Sequence, residues 1–111
     1  MFDHIIMSFN DVMRQFLTDL AEVFPEDPAI VTALQSLDDL IRMNYKKPAA
    51  MFLEAIGPYA QKIGAHDESV FADMDFPGVD FKTLWNSGIS QNTKNAIFMY
   101  LKQLLLLSVS K

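Results

Sequence analysis

Cysteine is absent from this sequence, and glycine and proline are scarce, at four and five of 111 residues. Without cysteine, disulfides, thiolate zinc sites and cysteine nucleophiles are excluded. The chain also lacks the glycine-rich phosphate-binding motifs and the G-x-S-x-G motif of serine nucleophiles. Half of the residues are apolar and no low-complexity tract occurs, so we expect a folded domain without a recognisable catalytic motif.

Basic residues are outnumbered, with nine Lys and Arg against 14 Asp and Glu, for a net charge of −5. Nucleic acids and anionic membranes are bound by clustered basic side chains, and the only adjacent pair is Lys46-Lys47. We therefore expect no nucleic-acid partner. The longest apolar run, Ala96 to Leu107, is shorter than the roughly 20 residues of a membrane-spanning helix. With no signal-peptide pattern at the start, we expect an intracellular protein without membrane insertion.

Apolar residues recur at steps of three and four along most of the chain, which is the period of an amphipathic helix. The alternation typical of strands is missing. We predict one all-α domain over residues 1–111, a compact bundle of four main helices with one or two short helices before the last. The predicted limits are Phe2 to Phe24, stopped by Pro25; Asp27-Pro28 to Asn44; Pro48 to Gly64, interrupted at Gly57-Pro58; short helices capped by Asp67 and Asp80; and a last helix capped by Ser90.

The last helix is apolar around most of its circumference, with Lys102 and Gln103 as its main interruptions. A surface helix needs only one apolar stripe. The helix is therefore expected either at the centre of the bundle or at an interface with a partner or a second copy. Methionines away from the main stripes add candidates for an exposed apolar surface. The candidate interaction residues are Phe98, Met99, Leu105, Leu106, Met7 and Met43.

Acidic residues are concentrated between Asp67 and Asp80, and Asp73-x-Asp75-x-x-Gly78 matches the opening of a calcium-binding loop. The match then fails, because Pro77 supplies no side-chain ligand and Leu84 replaces the bidentate glutamate. The simpler interpretation is that Asp67 and Asp80 cap helices while Glu68, Asp73 and Asp75 face solvent. The two histidines, His4 and His66, lack the spacing of a zinc site. We expect no cofactor and no metal.

The residues from Trp85 to Leu104 read W-x4-S-x2-T-K-x2-I-F-x-Y-L-x2-L. This is similar to the C-terminal pattern of small all-helical proteins from large nucleocytoplasmic DNA viruses, which have no established activity. One departure is Phe98, at a position where tryptophan is expected. The resemblance implies an all-α fold and a viral protein in the host cytoplasm or the virion. It supplies no catalytic residues.

Three functions are compatible with these patterns. The first is a non-enzymatic interaction or structural protein that uses its last helix for self-association or partner docking. The second is a regulatory adaptor that binds a partner helix in a groove lined by Met and Phe. The third is a small metal-dependent enzyme that uses the acidic segment Asp67–Asp80. It is the weakest of the three hypotheses, because the calcium-binding motif in this segment is incomplete.

Overall fold

Every regular element of the structure, a computed structural model that describes residues 8–74, 76, 79–86 and 88–109, is a helix. The predicted all-α bundle with four main helices is confirmed. Three short helices and a single 3₁₀ turn at Gly57–Tyr59 lie between the third and the last main helix. The helices are α1 (Phe9–Val23), α2 (Pro28–Met43), α3 (Lys47–Ile56), α4 (Ala60–Gly64), α5 (Val70–Asp73), α6 (Phe81–Trp85) and α7 (Gln91–Val109).

Helix α1 begins later than its apolar period indicates. The backbone at Ser8 is extended, and its hydroxyl accepts a hydrogen bond from the Asp11 amide at 3.2 Å, while the Asp11 carboxylate accepts one from the Ser8 amide. This reciprocal capping box satisfies two amides of the first turn and fixes the helix start at Phe9. The predicted continuation of this helix back to Phe2 is therefore wrong at Ser8, and residues 1–7 lie outside the described part.

The predicted caps at Asp27, Asp80 and Ser90 and the predicted break at Gly57-Pro58 are confirmed. The predicted cap at Asp67 is wrong, because α5 begins at Val70 after Ser69 and Asp67 accepts its hydrogen bond from the Ser69 amide before the helix. Asp27, Asp80 and Ser90 each accept a hydrogen bond from a backbone amide two or three residues ahead, which supplies a partner for an amide that the helix leaves unpaired. Between α3 and α4, the Gly57-Pro58 pair forms the 3₁₀ turn, because proline has no amide hydrogen to continue the α-helical pattern.

Helix α1 lies at the centre of the packing, in contact with α2, α3 and α7. Helix α7 packs on α1, α3 and α4, and its buried residues are Ile97, Phe98, Leu101 and Leu104. The opposite side of α7 is exposed. One side of α7 is therefore core, as the first alternative for the apolar last helix predicts, while an interface on its exposed side stays a prediction. Within the described residues, no helix is long and apolar enough to span a bilayer.

Two leucines on α7 provide a matched test of which side of the helix is core. Leu101 is fully buried and Leu106 is exposed. We expect Leu101→Ala to lower the free energy of unfolding by about 2–5 kcal/mol, because it removes buried methyl groups and leaves a cavity. Leu106→Ala is expected to change it by no more than about 0.5 kcal/mol. Urea unfolding measures both, and equal losses would contradict this packing.

Candidate binding groove

An open groove of about 510 Å³ lies between α1, α2 and α3. Its volume is within the range of roughly 300–1,000 Å³ that is common for ligand pockets. The side chains that line it are apolar except for the hydroxyls of Thr32 and Ser36. The lining consists of Met13 and Leu17 from α1; Pro28, Ala29, Thr32, Ala33, Ser36, Leu37 and Leu40 from α2; Pro48, Met51 and Phe52 from α3; and Phe76.

The groove exists because α2 presents small side chains toward α3. Ala29, Thr32, Ala33 and Ser36 follow one another at the three- and four-residue spacing that places them on one side of a helix. Short side chains cannot fill the distance to the helices opposite. Helix α2 accordingly has only two buried residues, Ile30 and Leu37, whereas α1 has six.

Aromatic packing holds the floor of the groove in place. The buried ring of Phe52 makes edge-to-face contacts with Phe9, at 5.4 Å between centroids, and with Phe76, at 5.9 Å. Phe76 in turn packs edge-on against Phe16 and Phe81. Edge-to-face pairs are the favourable geometry for neighbouring aromatic rings. The floor is therefore continuous with the protein core and provides a rigid apolar base.

The walls are more adaptable than the floor, because Met13 and Met51 are unbranched and have three rotatable bonds each. None of the described lining residues is charged, so nothing in the groove favours an ionic group. Two hydroxyls on one wall add weak hydrogen-bonding capacity. The arrangement suits apolar side chains of a partner, with shape set by the floor and the fit adjusted by the methionines.

The predicted interaction residues are not brought together into one surface. Met99 is 66% exposed, Leu106 68% and Met43 73%, but Met43 is at the end of α2 rather than on α7. Leu105 is partly buried against the core, and Met7 lies outside the described residues. Val109, which the sequence did not single out, is 58% exposed. We refer to Met99, Leu106 and Val109 as the α7 stripe.

The prediction that Phe98 lies on the exposed side of α7 is wrong, since only 2% of it is accessible. Its ring stacks on His66 at 4.6 Å and packs edge-on against Phe71 and Trp85, at 5.3 and 5.8 Å. The irregular segment after α4 folds back over this part of α7. The helical pattern of α7 alone cannot show such a cover, because the covering residues are distant in sequence.

The acidic segment between α4 and α6 has structural partners. Asp67 accepts a hydrogen bond from the Ser69 amide, Asp80 accepts from Thr83, and Asp73 lies 3.5 Å from the Lys62 ammonium. Asp75, Pro77 and Gly78 of the calcium-like pattern lie outside the described residues. Among the residues that are described, no three carboxylate or histidine side chains are grouped to hold a metal ion.

Glu68 is the main departure from the expected solvent-facing acids. It accepts hydrogen bonds from the indole of Trp85 at 2.9 Å and from the Lys94 ammonium at 3.3 Å. These two bonds, with that of Trp85 the larger, lower the pKa of Glu68 because they favour its charged form. Lys94 also lies over the Trp85 ring, 5.3 Å from its centroid. The segment is thereby attached to the start of α7.

A smaller cavity of about 210 Å³ lies between α1 and α7. At its edge the Tyr100 hydroxyl donates a hydrogen bond to the Asp19 carboxylate. Desolvation, followed by this bond to a carboxylate, raises the pKa of Tyr100 to about 12. The pair joins α1 to α7 and favours the protonated phenol.

The sequence patterns predicted a groove lined by Met and Phe as an alternative, but they did not indicate which residues line it. In the structure the groove lies beside the run of small residues on α2, and such a run predicts a groove only when the helix opposite is known. This chain matches no protein-family model, no curated protein and no solved structure.

The raised pKa of Tyr100 gives a testable dependence of stability on pH. The folded state holds the phenolic proton more tightly than the unfolded chain, whose tyrosine pKa is about 10. The resulting stabilisation of the folded state is complete below a pH of about 10 and is lost as the pH rises toward about 12. We expect urea-unfolding free energies to fall more steeply from pH 9 to 11 in the wild type than in Tyr100→Phe. Equal slopes would contradict the raised pKa of Tyr100.

Proposed function

We propose that this protein is a non-enzymatic interaction protein whose groove binds an apolar α-helix. The observation that carries the proposal is the open, uncharged groove of about 510 Å³ between α1, α2 and α3. Helix-in-groove recognition uses an apolar cleft that receives side chains spaced at i, i+3 or i+4, and i+7. The rigid floor at Phe52 and the flexible walls at Met13 and Met51 fit that mode.

The length of the groove favours a helix over a compact small molecule. Its lining extends along α2 from Ala29 to Leu40, which is about 16 Å at the rise of an α-helix. This distance accommodates about three turns of a partner helix and so two or three anchor side chains. A groove open along one side also leaves room for the polar face of such a helix to remain in solvent.

The α7 stripe supports a second candidate, self-association or partner docking through the last helix. Large apolar side chains exposed in a row on one helix favour burial against another molecule. Two of its members, Met99 and Leu106, are one heptad apart and point in similar directions. The stripe and the groove are both surfaces for interaction, so neither candidate requires a catalytic residue.

A viral context is part of the proposal, supported by the resemblance of residues 85–104 to small helical proteins of large DNA viruses. Such a protein would act in the host cytoplasm or the virion. The competing metal-dependent enzyme has less support, because Glu68, Asp73 and Asp80 already hold structural partners.

The groove can be tested with a displayed library of helical 16-residue peptides. We expect enrichment of peptides with apolar residues at i, i+3 or i+4, and i+7. Ser36→Trp, which places a large side chain in the groove, should weaken their binding at least about tenfold, or 1.4 kcal/mol. The matched control is Gln35→Trp, an exposed position on the same helix outside the groove.

Both variants should keep the thermal stability of the wild type. Calorimetric titration of the enriched peptides gives the affinities. Enrichment of peptides without apolar periodicity would contradict the proposed groove function. Equal affinity of the enriched peptides for Ser36→Trp and for the wild type would also contradict it.

A further inference from the structure

We infer that the helix that occupies the groove is α7 of a second copy of this chain, seated through the α7 stripe. The inference rests on the proposed function of the groove and names its partner. It joins two surfaces that one molecule carries separately: an apolar cleft on α1, α2 and α3, and an exposed apolar row on α7.

The stripe and the groove agree in length and character. Met99 and Val109 are ten residues apart, which is about 15 Å along a helix, and the groove lining extends over a similar distance on α2. Leu106 lies between them, one heptad after Met99. All three side chains are uncharged and mostly exposed. They therefore match the groove, whose lining is also uncharged.

A single molecule cannot make this contact with itself. The inner side of α7, with Ile97, Leu101 and Leu104, is buried in the core, so the stripe points away from the bundle. No described residue of α7 lines the groove. A stripe that enters a groove must therefore belong to another copy.

Charge favours a second copy as the occupant. Helix α7 carries Lys94 and Lys102 and no acidic residue, whereas residues 8–43, which form α1 and α2, carry seven acidic and two basic residues, a net charge of −5. Lys102 lies three residues after Met99 and four before Leu106, on the side of the stripe. Its alkyl stem can lie along the apolar wall while its ammonium approaches Asp27 or Asp39, which directly precede the lining residues Pro28 and Leu40 in the sequence. The seven acidic residues counted in residues 8–43 are Asp11, Asp19, Glu22, Glu26, Asp27, Asp38 and Asp39.

The symmetry of this contact differs from that of a simple dimer. A stripe in a groove joins two different surfaces, so the first molecule keeps an open groove and the second an open stripe, and further copies can add. Two α7 stripes packed on each other would instead form a closed dimer. Because three side chains make a small interface, we expect weak association that increases with concentration.

Two variants that each block one surface distinguish these arrangements by analytical ultracentrifugation. Ser36→Trp fills the groove, and Met99→Glu with Leu106→Glu places charges on the stripe. All three positions are exposed, so the variants should fold as the wild type does. The wild type and the control Gln35→Trp are expected to grow beyond the 12.6 kDa monomer as concentration rises.

Each blocked variant alone should remain a monomer. Their equimolar mixture should form a one-to-one dimer, because one variant retains its stripe and the other its groove. Self-association of Ser36→Trp equal to that of the wild type would indicate stripe-to-stripe pairing and overturn the inference. A wild type that is monomeric at millimolar concentration would also overturn it. Peptide binding to the groove would in that case still support the proposed function with a different partner.

The charge argument has its own test in Lys102. Lys102→Glu is expected to weaken self-association at least about fivefold, and added salt should weaken the wild type, because salt screens exposed charges. Lys102→Arg should associate as the wild type does. Association that is unchanged in Lys102→Glu would remove the reason for choosing a second copy and overturn the inference.

Discussion

One side of α7 is buried against α1 and α3, and this contact holds the core of the bundle together. Leu101 and Leu104 are fully buried there, and Phe16 of α1 lies 4.9 Å from the Tyr100 ring. Burial of a leucine or phenylalanine side chain contributes about 1.5–3 kcal/mol, so a few such residues outweigh any single polar contact on the surface. The position of α7 also determines what remains outside, since the side opposite the core carries Met99, Leu106 and Val109.

Helix α2 is bound to this core less extensively, and the groove follows from that difference. Its contacts are with α1 and α3, through Ile30 and Leu37. The remaining inward positions are alanine, serine and threonine, which are too short to reach α3. A well-packed domain normally leaves few voids larger than a water molecule. The groove is open to solvent rather than an interior void, and its role in recognition is a proposal.

Local signals predicted the fold well, because capping and proline effects act within a few residues. Asp27, Asp80 and Ser90 were identified as caps from residue type and position alone, and Gly57-Pro58 as a break. Burial across the bundle was harder to predict. Phe98 is covered by His66, Phe71 and Trp85, which belong to other parts of the chain. The capping box at Ser8 begins α1 at Phe9, although the apolar period of the sequence continues on the N-terminal side of Ser8.

The groove itself was the least predictable feature, since a cavity depends on the side chains of two facing helices rather than on one. The small residues on α2 could have marked it only if α3 were known to lie opposite. The exposure of Met99 and Leu106 on α7, which the sequence indicated, is shown by the structure, while their role in binding is a proposal.

We infer that the groove and the α7 stripe are two halves of one contact between copies of this chain. The most direct measurement is a dilution series followed by NMR of the methionine methyl groups. Met13 and Met51 report on the groove, Met99 on the stripe, and the buried Met74 serves as an internal reference. We expect the signals of Met13, Met51 and Met99 to shift together with concentration while the signal of Met74 stays constant. A shift of Met99 without Met13 and Met51, or no shift at all, would contradict it.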